Sequence, residues 1–77
     1  MRLIHEPIDV SPPNGIPQHL VWRHTSHHVI DVLDSWSSRR QWWTRDETRR
    51  YLLVRTNAAV MEIYSTDQRW MLSRIAD

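Results

Sequence analysis

Five histidines are the side chains of this sequence best suited to metal binding or proton transfer. His24, His27 and His28 form a cluster, and His5 and His19 precede it. Imidazole rings hold zinc, nickel or copper when several converge and outer hydrogen bonds orient each ring. A turn is expected between His24 and His28, which places them on different strands. We therefore predict no metal site and no cofactor, and a solvated histidine turn.

Hydrolytic chemistry would need a nucleophile and its base, and the sequence offers only isolated pairs of such residues. Ser26 stands beside His27, and Asp31 is close to Asp34. Neither pair lies in a nucleophile elbow or beside an oxyanion hole. Gly15 is the only glycine, so the sequence has no phosphate-cradling loop either. We predict that the protein is not an enzyme.

A stretch of interleaved arginines and aromatic rings is the strongest binding candidate. Its candidate binding residues are Arg39, Arg40, Trp42, Trp43, Arg49, Tyr51 and Arg55. Cations beside stacking rings hold single-stranded nucleic acid, and the same residue types dominate the energetic centres of protein interfaces. A third interpretation places the tryptophans in the core and pairs the arginines with Asp46 and Glu47. The sequence leaves these three interpretations open.

Charge and composition narrow the class of partner. The ten basic residues are all arginine, and nine acidic residues leave a net charge of +1. Arginine suits phosphate, carboxylate and aromatic partners better than lysine does. A charge this close to zero does not predict a strong nucleic-acid binder, however. A protein partner or self-association is therefore the first expectation, and nucleic acid is the second.

The size of the chain limits how it can be stabilised. Seventy-seven residues form one domain, which buries a modest fraction of its surface. Because cysteine is absent, disulfides and cysteine-bound zinc cannot support it. The five tryptophans are expected to supply most of the burial, at about 150–250 Å² each. No stretch reaches the roughly 20 apolar residues of a membrane span, and no secretory segment is present. These absences predict a cytoplasmic protein with no membrane contact.

Alternating apolar and polar side chains predict an all-β domain. The segments with this pattern are 17–24, 49–56, 59–65 and 69–75. The side chains assigned to the core are Leu20, Trp22, Leu52, Val54, Met61, Ile63, Trp70 and Leu72. A hairpin turn is predicted at Asn57–Ala58. Residues 37–48 are predicted as a polar loop, in which either Trp42 or Trp43 covers the core and the other is exposed.

Segment 28–36 fits two structures. Its apolar residues match the stripe of an amphipathic helix, and they also match a buried strand with a bulge near Asp31. The β-branched side chains of Val29, Ile30 and Val32 favour the strand. Trp36 is assigned to the core in either case. With the strand, the domain becomes an antiparallel meander of about five strands, which must curl into a barrel or pair with another molecule.

The N-terminal segment is rich in residues that interrupt regular structure. Residues 1–16 contain three of the four prolines and the only glycine, which favours turns and polyproline-like backbone. The apolar residues Leu3, Ile4 and Ile8 leave open that part of it pairs or docks. We predict an irregular, flexible arm over 1–16, followed by a single small β domain over 17–77.

The order of these segments resembles a known family. The segments that carry the resemblance are Val21–Arg23, Val32–Trp36, Trp42–Trp43, Arg49–Thr56, Val60–Tyr64 and Arg69–Leu72. From Trp22 to Asp77 the chain is similar to a family of small bacterial domains of unknown function. Similar segments occur near the C-terminus of some Y-family DNA-polymerase-like proteins of bacterial mutagenic repair. The resemblance implies an accessory or interaction domain linked to DNA repair, and it implies no catalytic residue.

The sequence departs from this family pattern at the hairpin and on the outer face. Residues 57–59 replace the usual glycine-containing turn, and Leu53, Met71 and Ser73 stand where an arginine or aromatic residue is common. These changes make the outer face more apolar or less basic. The sequence therefore predicts a non-enzymatic protein-interaction or accessory module linked to DNA repair. The alternative is an accessory domain that binds single-stranded nucleic acid through an arginine and tryptophan face.

Overall fold

Antiparallel strands close into a small barrel. A computed structural model describes residues 1–42, 45–66 and 69–76, and the side chains in these ranges except those of 39–47. The strands are β1 (Arg2–Ser11), β2 (His19–Trp22), β3 (Thr25–Trp42), β4 (Arg45–Thr56), β5 (Val60–Ser65) and β6 (Trp70–Ala76). Each strand pairs with its neighbours in sequence, and β1 pairs with β6 to close the ring. The prediction of a curled or barrel-like all-β meander is confirmed, with six strands. None of the described residues lies in a helix able to cross a membrane.

Among the described residues, the core is built from aliphatic side chains and one methionine. Its buried members are Ile8, Leu20, Val54, Met61, Ile63, Leu72 and Ile75. They lie on the inward side of their strands. A register shift between β5 and β6 leaves Ser73 unpaired, so Leu72 and Ile75 both point inward although they are three residues apart. The predicted core side of β2, β4, β5 and β6 is confirmed by this set.

The three tryptophan side chains that the structure describes supply less burial than the composition predicts. Trp22 and Trp70 are half-buried and pack against the edge of the core. Trp36 lies outside the barrel and is 38% exposed, so its assignment to the core is wrong. Branched aliphatic side chains fill the narrow interior of a small barrel, which leaves the larger indole rings at its ends and on its outer surface.

The predicted flexible arm is wrong over most of its length, because residues 2–11 form β1. Ile4, Ile8 and Val10 alternate along this strand and pack against the core. Without β1, the strand β6 would have an open edge, and unpaired backbone groups at a buried edge are costly. Within the predicted arm, residues 12–16, which contain two prolines and the glycine, lie in the irregular loop between β1 and β2.

A side-chain contact also holds β1 in place. Trp22 donates a hydrogen bond from Nε1 to Glu6 Oε1 (3.1 Å), and Arg23 donates from Nε to the same oxygen (3.0 Å). Arg23 also forms an ion pair with Glu6, and its guanidinium carbon lies 4.6 Å from the Trp22 ring centroid. These contacts join the middle of β1 to the turn that follows β2.

Segment 28–36 is part of β3, so the strand is confirmed and the helix is wrong. The pairing register with β4 shifts between Val29 and Asp31 and again between Val32 and Asp34. These shifts are bulges, and the predicted bulge near Asp31 is one of them. Each bulge inserts one extra residue, so Val29 and Val32 both pack against the core although they are three residues apart. A three-residue spacing is also typical of a helix, which is why both structures fitted the sequence.

The predicted polar loop 37–48 is largely strand. β3 continues to Trp42, and β4 begins at Arg45. We call residues 38–42 and 45–49 the ribbon, because they pair with each other beyond the last residue of β4 that pairs with β5. A two-stranded extension has no core to cover, so its sequence lacks the apolar alternation that predicts a strand.

The first hairpin is tighter than predicted. β2 ends at Trp22 and β3 begins at Thr25, so 25–27 belong to a strand and not to the turn. The two turn residues, Arg23 and His24, have positive φ angles of 51° and 64°. A two-residue turn with positive φ at both positions matches the right-handed twist of the strands that it joins. Asparagine and glycine are the usual residues there, so the sequence indicated a turn nearby but not at these two residues.

Candidate functional site

Three aromatic side chains form a row across the outside of the barrel. Trp36 on β3 is paired in register with Tyr51 on β4, and Tyr51 is paired with Tyr64 on β5. The Trp36 and Tyr51 rings stack with their centroids 5.3 Å apart and their planes at 2°. The centroids of Tyr51 and Tyr64 are 5.1 Å apart at 41°. We call Trp36, Tyr51 and Tyr64 the aromatic row.

An arginine and a histidine cover the inner end of the aromatic row. The guanidinium carbon of Arg49 lies 4.7 Å from the Tyr64 ring centroid, and its Nη1 donates to Tyr51 Oη at 3.4 Å. The His5 ring stacks 6.4 Å from Tyr64. Tyr64 is therefore only 4% exposed although it lies outside the core. The opposite end of the row, Trp36, remains open to solvent.

Large apolar side chains continue from Trp36 along the outer side of β3. Ile30 is 55% exposed and Leu33 is 46% exposed. Both are the extra residues of the two bulges, and each bulge turns its extra residue outward. In an unbulged strand, residues three apart would point to opposite faces. We call Ile30, Leu33 and Trp36 the β3 face.

Charged residues border the β3 face. Asp31 and Asp34 follow the two bulged residues, and both are exposed. Arg55 on β4 is exposed and is paired in register with Asp31. The half-buried Leu53, paired with Asp34, separates Arg55 from the aromatic row. The arrangement is an apolar strip with acidic and basic groups along its border.

A separate cleft opens at one end of the barrel, with a volume of about 830 Å³. We call it the mouth cleft. The described residues that line it are Pro13, Asn14, Gly15, Thr48, Arg50, Leu52, Ser65, Thr66, Arg69 and Trp70. It lies on the inward side of β4, whereas the aromatic row and the β3 face lie on the outside of the barrel.

The structure brings together only part of the predicted arginine and aromatic site. Arg49 and Tyr51 are in direct contact. Arg55 lies on the same outer side of β4, four residues from Tyr51, or about 13 Å at about 3.3 Å per residue. The backbones of Arg39, Arg40 and Trp42 are in the ribbon, and their side chains lie outside the described part of the structure. Trp43 lies outside the described residues altogether.

Sequence reasoning missed three participants in this surface. The sequence predicts a core position for Trp36 and places His5 in the arm, and it assigns Tyr64 to no site. A signal for one pair was present, because Tyr51 and Tyr64 are equally far from the hairpin turn at Asn57–Ala58. Residues placed symmetrically about a hairpin turn are cross-strand neighbours. His5 could not be found this way, because it depends on the pairing of β1 with β6.

The histidine cluster is divided between different environments. His24 is exposed in the first turn, whereas His27 is buried near Trp22, with ring centroids 6.4 Å apart. His19 and His28 face each other across β2 and β3, and their Nδ1 atoms are 3.4 Å apart. No group of three metal-ligating side chains converges within the described ranges. The absence of a metal site stays a prediction.

The carboxylate with a shifted pKa lies away from these surfaces. The hydrogen bond from Arg23 lowers the pKa of Glu6 below its ordinary value, and Glu6 in turn raises the pKa of Arg23. This pair joins β1 to the first turn and contacts neither the β3 face nor the mouth cleft.

Comparison with known proteins identifies a family but no activity. No curated protein matches the chain. No solved structure matches it either. The chain matches the family described as a domain of unknown function (DUF6504) over residues 1–77, which includes β1. The prediction of a domain family of unknown function is confirmed, and the chain belongs to this family.

Proposed function

We propose that the protein is a non-enzymatic protein-interaction module that contacts its partner through the β3 face. The observation that carries the proposal is the outward position of Ile30, Leu33 and Trp36 at successive three-residue steps. Single exposed apolar residues are ordinary, whereas a continuous row of large ones is typical of a binding surface. Two bulges are needed to place them all outside, and bulges serve to re-aim side chains.

Trp36 supports this proposal because it is already ordered. Its ring is stacked on Tyr51 at 5.3 Å and is 38% exposed. A side chain that is held before binding loses little conformational entropy in the complex. Tryptophan is also enriched among the residues that contribute most to interface affinity. The border charges Asp31, Asp34 and Arg55 would select among partners, because polar rims affect specificity and association rate more than affinity.

Binding of single-stranded nucleic acid is the second candidate. Its support is the arginines of the ribbon, Arg39, Arg40 and Arg45. The aromatic row favours it less, because stacking of bases requires open ring faces. Tyr51 is stacked between Trp36 and Tyr64, and Arg49 covers Tyr64. Within the aromatic row, only Trp36 has an open ring face on which a base could stack. A link to DNA repair rests on the resemblance to polymerase-like proteins and stays part of the proposal.

The test compares two matched pairs of surface substitutions. The first variant carries Ile30→Ser and Leu33→Ser on the β3 face. The control carries Ile16→Ser and Leu3→Ser, which make the same chemical changes at positions that are each 71% exposed and lie off this face. Sedimentation velocity over a range of protein concentrations measures self-association. Affinity capture with quantitative mass spectrometry measures partners.

We expect the wild type and the control to associate with themselves or to capture the same protein, and the β3-face variant to do neither. A wild-type protein that stays monomeric and captures nothing in preference to the β3-face variant would contradict the proposal. A titration with a single-stranded oligonucleotide at low salt tests the second candidate. Binding that weakens steeply with added salt would support it over the protein interface.

A further inference from the structure

We propose that the mouth cleft binds an organic oxyanion, a small molecule that carries a phosphate or carboxylate group on a planar or apolar body. This site is separate from the β3 face and does not depend on the protein-interaction proposal. Its volume of about 830 Å³ lies within the roughly 300–1,000 Å³ that is usual for small-molecule sites. The mouth of a barrel is also a preferred place for such sites.

The lining of the cleft follows from the alternation along β4. Thr48, Arg50 and Leu52 are each two residues apart, so their side chains lie on the same side of the strand. Leu52 packs against the core, and this inward side continues past the end of the barrel to Arg50 and Thr48. Inside the barrel, this side of β4 carries the apolar side chain of Leu52. At the mouth, the same side carries the guanidinium group of Arg50.

A second arginine also lines the cleft. Arg69 precedes β6 and, like Arg50, is exposed and lines the cleft. Neither guanidinium group has a hydrogen bond or ion pair with any other described residue. None of the described lining residues is acidic. Two guanidinium groups without a described counter-charge favour a ligand with an oxyanion, because arginine binds phosphate and carboxylate with paired hydrogen bonds.

Hydroxyl groups and an indole ring complete the site. Ser65 and Thr66 bring hydroxyls from the end of β5, and Ser65 is paired in register with both Arg50 and Trp70. Trp70 donates a hydrogen bond from Nε1 to the backbone oxygen of Pro13 at 3.2 Å, which holds the indole at the wall of the cleft. An inorganic anion would fill only a small part of this volume. The apolar surfaces of Trp70 and Leu52 indicate that the rest of the ligand is planar or apolar.

The experiment uses four probes that separate the contribution of the oxyanion from that of the planar ring. Adenosine monophosphate has a phosphate and a planar ring, nicotinate has a carboxylate and a planar ring, inorganic phosphate lacks the ring, and adenosine lacks the charge. Each is titrated into isotopically labelled protein at low salt, where charge interactions are least screened. Binding is followed by NMR through the indole N–H of Trp70, which is assigned with Trp70→Phe.

Two double variants with the same charge change show where the anion binds. Arg50→Gln with Arg69→Gln removes both cations of the cleft. Arg55→Gln with Arg74→Gln removes two arginines outside it. We expect adenosine monophosphate to bind if the site prefers a phosphate, and nicotinate to bind if it prefers a carboxylate. The preferred probe should bind more tightly than inorganic phosphate or adenosine and should shift the Trp70 signal. The cleft variant should weaken this binding by at least about tenfold, and the control by less than about twofold.

Several results would overturn the proposal. The proposal fails if adenosine binds as tightly as adenosine monophosphate, or if inorganic phosphate binds as tightly as either organic anion. It also fails if both double variants weaken the binding of the organic anion equally, or if neither organic anion binds. If the cleft variant does not fold, as judged by circular dichroism, Arg69→Gln alone replaces it. Arg69 lies outside the strands, so this change leaves the paired backbone intact. The same criteria then apply to the single variant, with Arg55→Gln as its control.

Discussion

Replacing Trp36 distinguishes a surface tryptophan from one that supports the core. Trp36→Ala removes the stacked contact with Tyr51, which contributes about 0.5–1.5 kcal/mol, and the partial burial of the indole. Because the residue is already 38% exposed, we expect the free energy of unfolding to fall by about 2 kcal/mol. Replacing a buried tryptophan or phenylalanine with alanine lowers it by roughly 3–5 kcal/mol. The domain should therefore remain folded.

Urea denaturation followed by far-ultraviolet circular dichroism measures this loss without relying on tryptophan fluorescence. With a slope of about 1 kcal/mol per molar urea, the midpoint of unfolding should fall by about 2 M. Trp36→Phe keeps a stacking ring and should lose less. Met61→Ala, at a core residue that is 0% exposed, should lose about 2–5 kcal/mol. If Trp36→Ala unfolds the protein or costs more than Met61→Ala, the outward position of the aromatic row is refuted.

Three further substitutions test the local structure. The lowered pKa of Glu6 means that its ion pair stabilises the fold fully above the ordinary value of 4.5 and loses this effect as the pH falls through the lower folded-state value. The stability difference between wild type and Glu6→Gln should therefore be constant near neutral pH and shrink below about pH 4.5 in acid titrations followed by urea unfolding. Thr56→Val should cost about 1–3 kcal/mol in the same assay, because the Thr56 hydroxyl accepts hydrogen bonds from the N–H groups of Ala58 and Ala59. His24→Gly should raise the free energy of unfolding by about 1 kcal/mol, since φ is 64° there and glycine adopts this conformation without a Cβ clash.

Each of these changes has a control that isolates its cause. A Glu6→Gln difference that does not shrink in acid would mean that the contact with Arg23 contributes through packing and not through charge. Thr25→Val, at an exposed threonine, should change stability little, so an equal loss there would argue against the turn hydrogen bonds. His24→Ala keeps the Cβ and should not stabilise, so an equal gain would show that the histidine ring and not the backbone is the cause.

The candidate site was predictable only where it depends on one hairpin. The β4–β5 turn at Asn57–Ala58 gives the register of Tyr51 and Tyr64, and that register can be read from the sequence. The contact between Arg49 and Tyr64 follows from it, because Arg49 and Tyr51 are two apart on the same side of β4. Trp36 required the two bulges of β3, and a bulge shifts every later residue to the opposite face. The pattern of apolar residues does not locate such a shift.

Alternation within single strands was sufficient to determine the class of the fold. The apolar residues assigned to the core in β2, β4, β5 and β6 recur with a period of two, and this spacing by itself predicts one buried side for each strand. The turn at Asn57–Ala58 follows from the two strands that flank it. The absence of cysteine excluded disulfides from sequence alone. The near-zero net charge made a protein partner a better expectation than nucleic acid.

The pairing of β1, the side of β3 on which Trp36 lies and the lining of the barrel mouth depend on the closed tertiary structure. The first strand appears irregular in sequence because of its proline, and its position depends on pairing with β6 across nearly the whole chain. The outward position of Trp36 and the inward position of Arg50 depend on where the barrel ends and where its strands bulge. These features arise from contacts between residues distant in sequence, whereas local pattern reports only which side of a single strand is apolar.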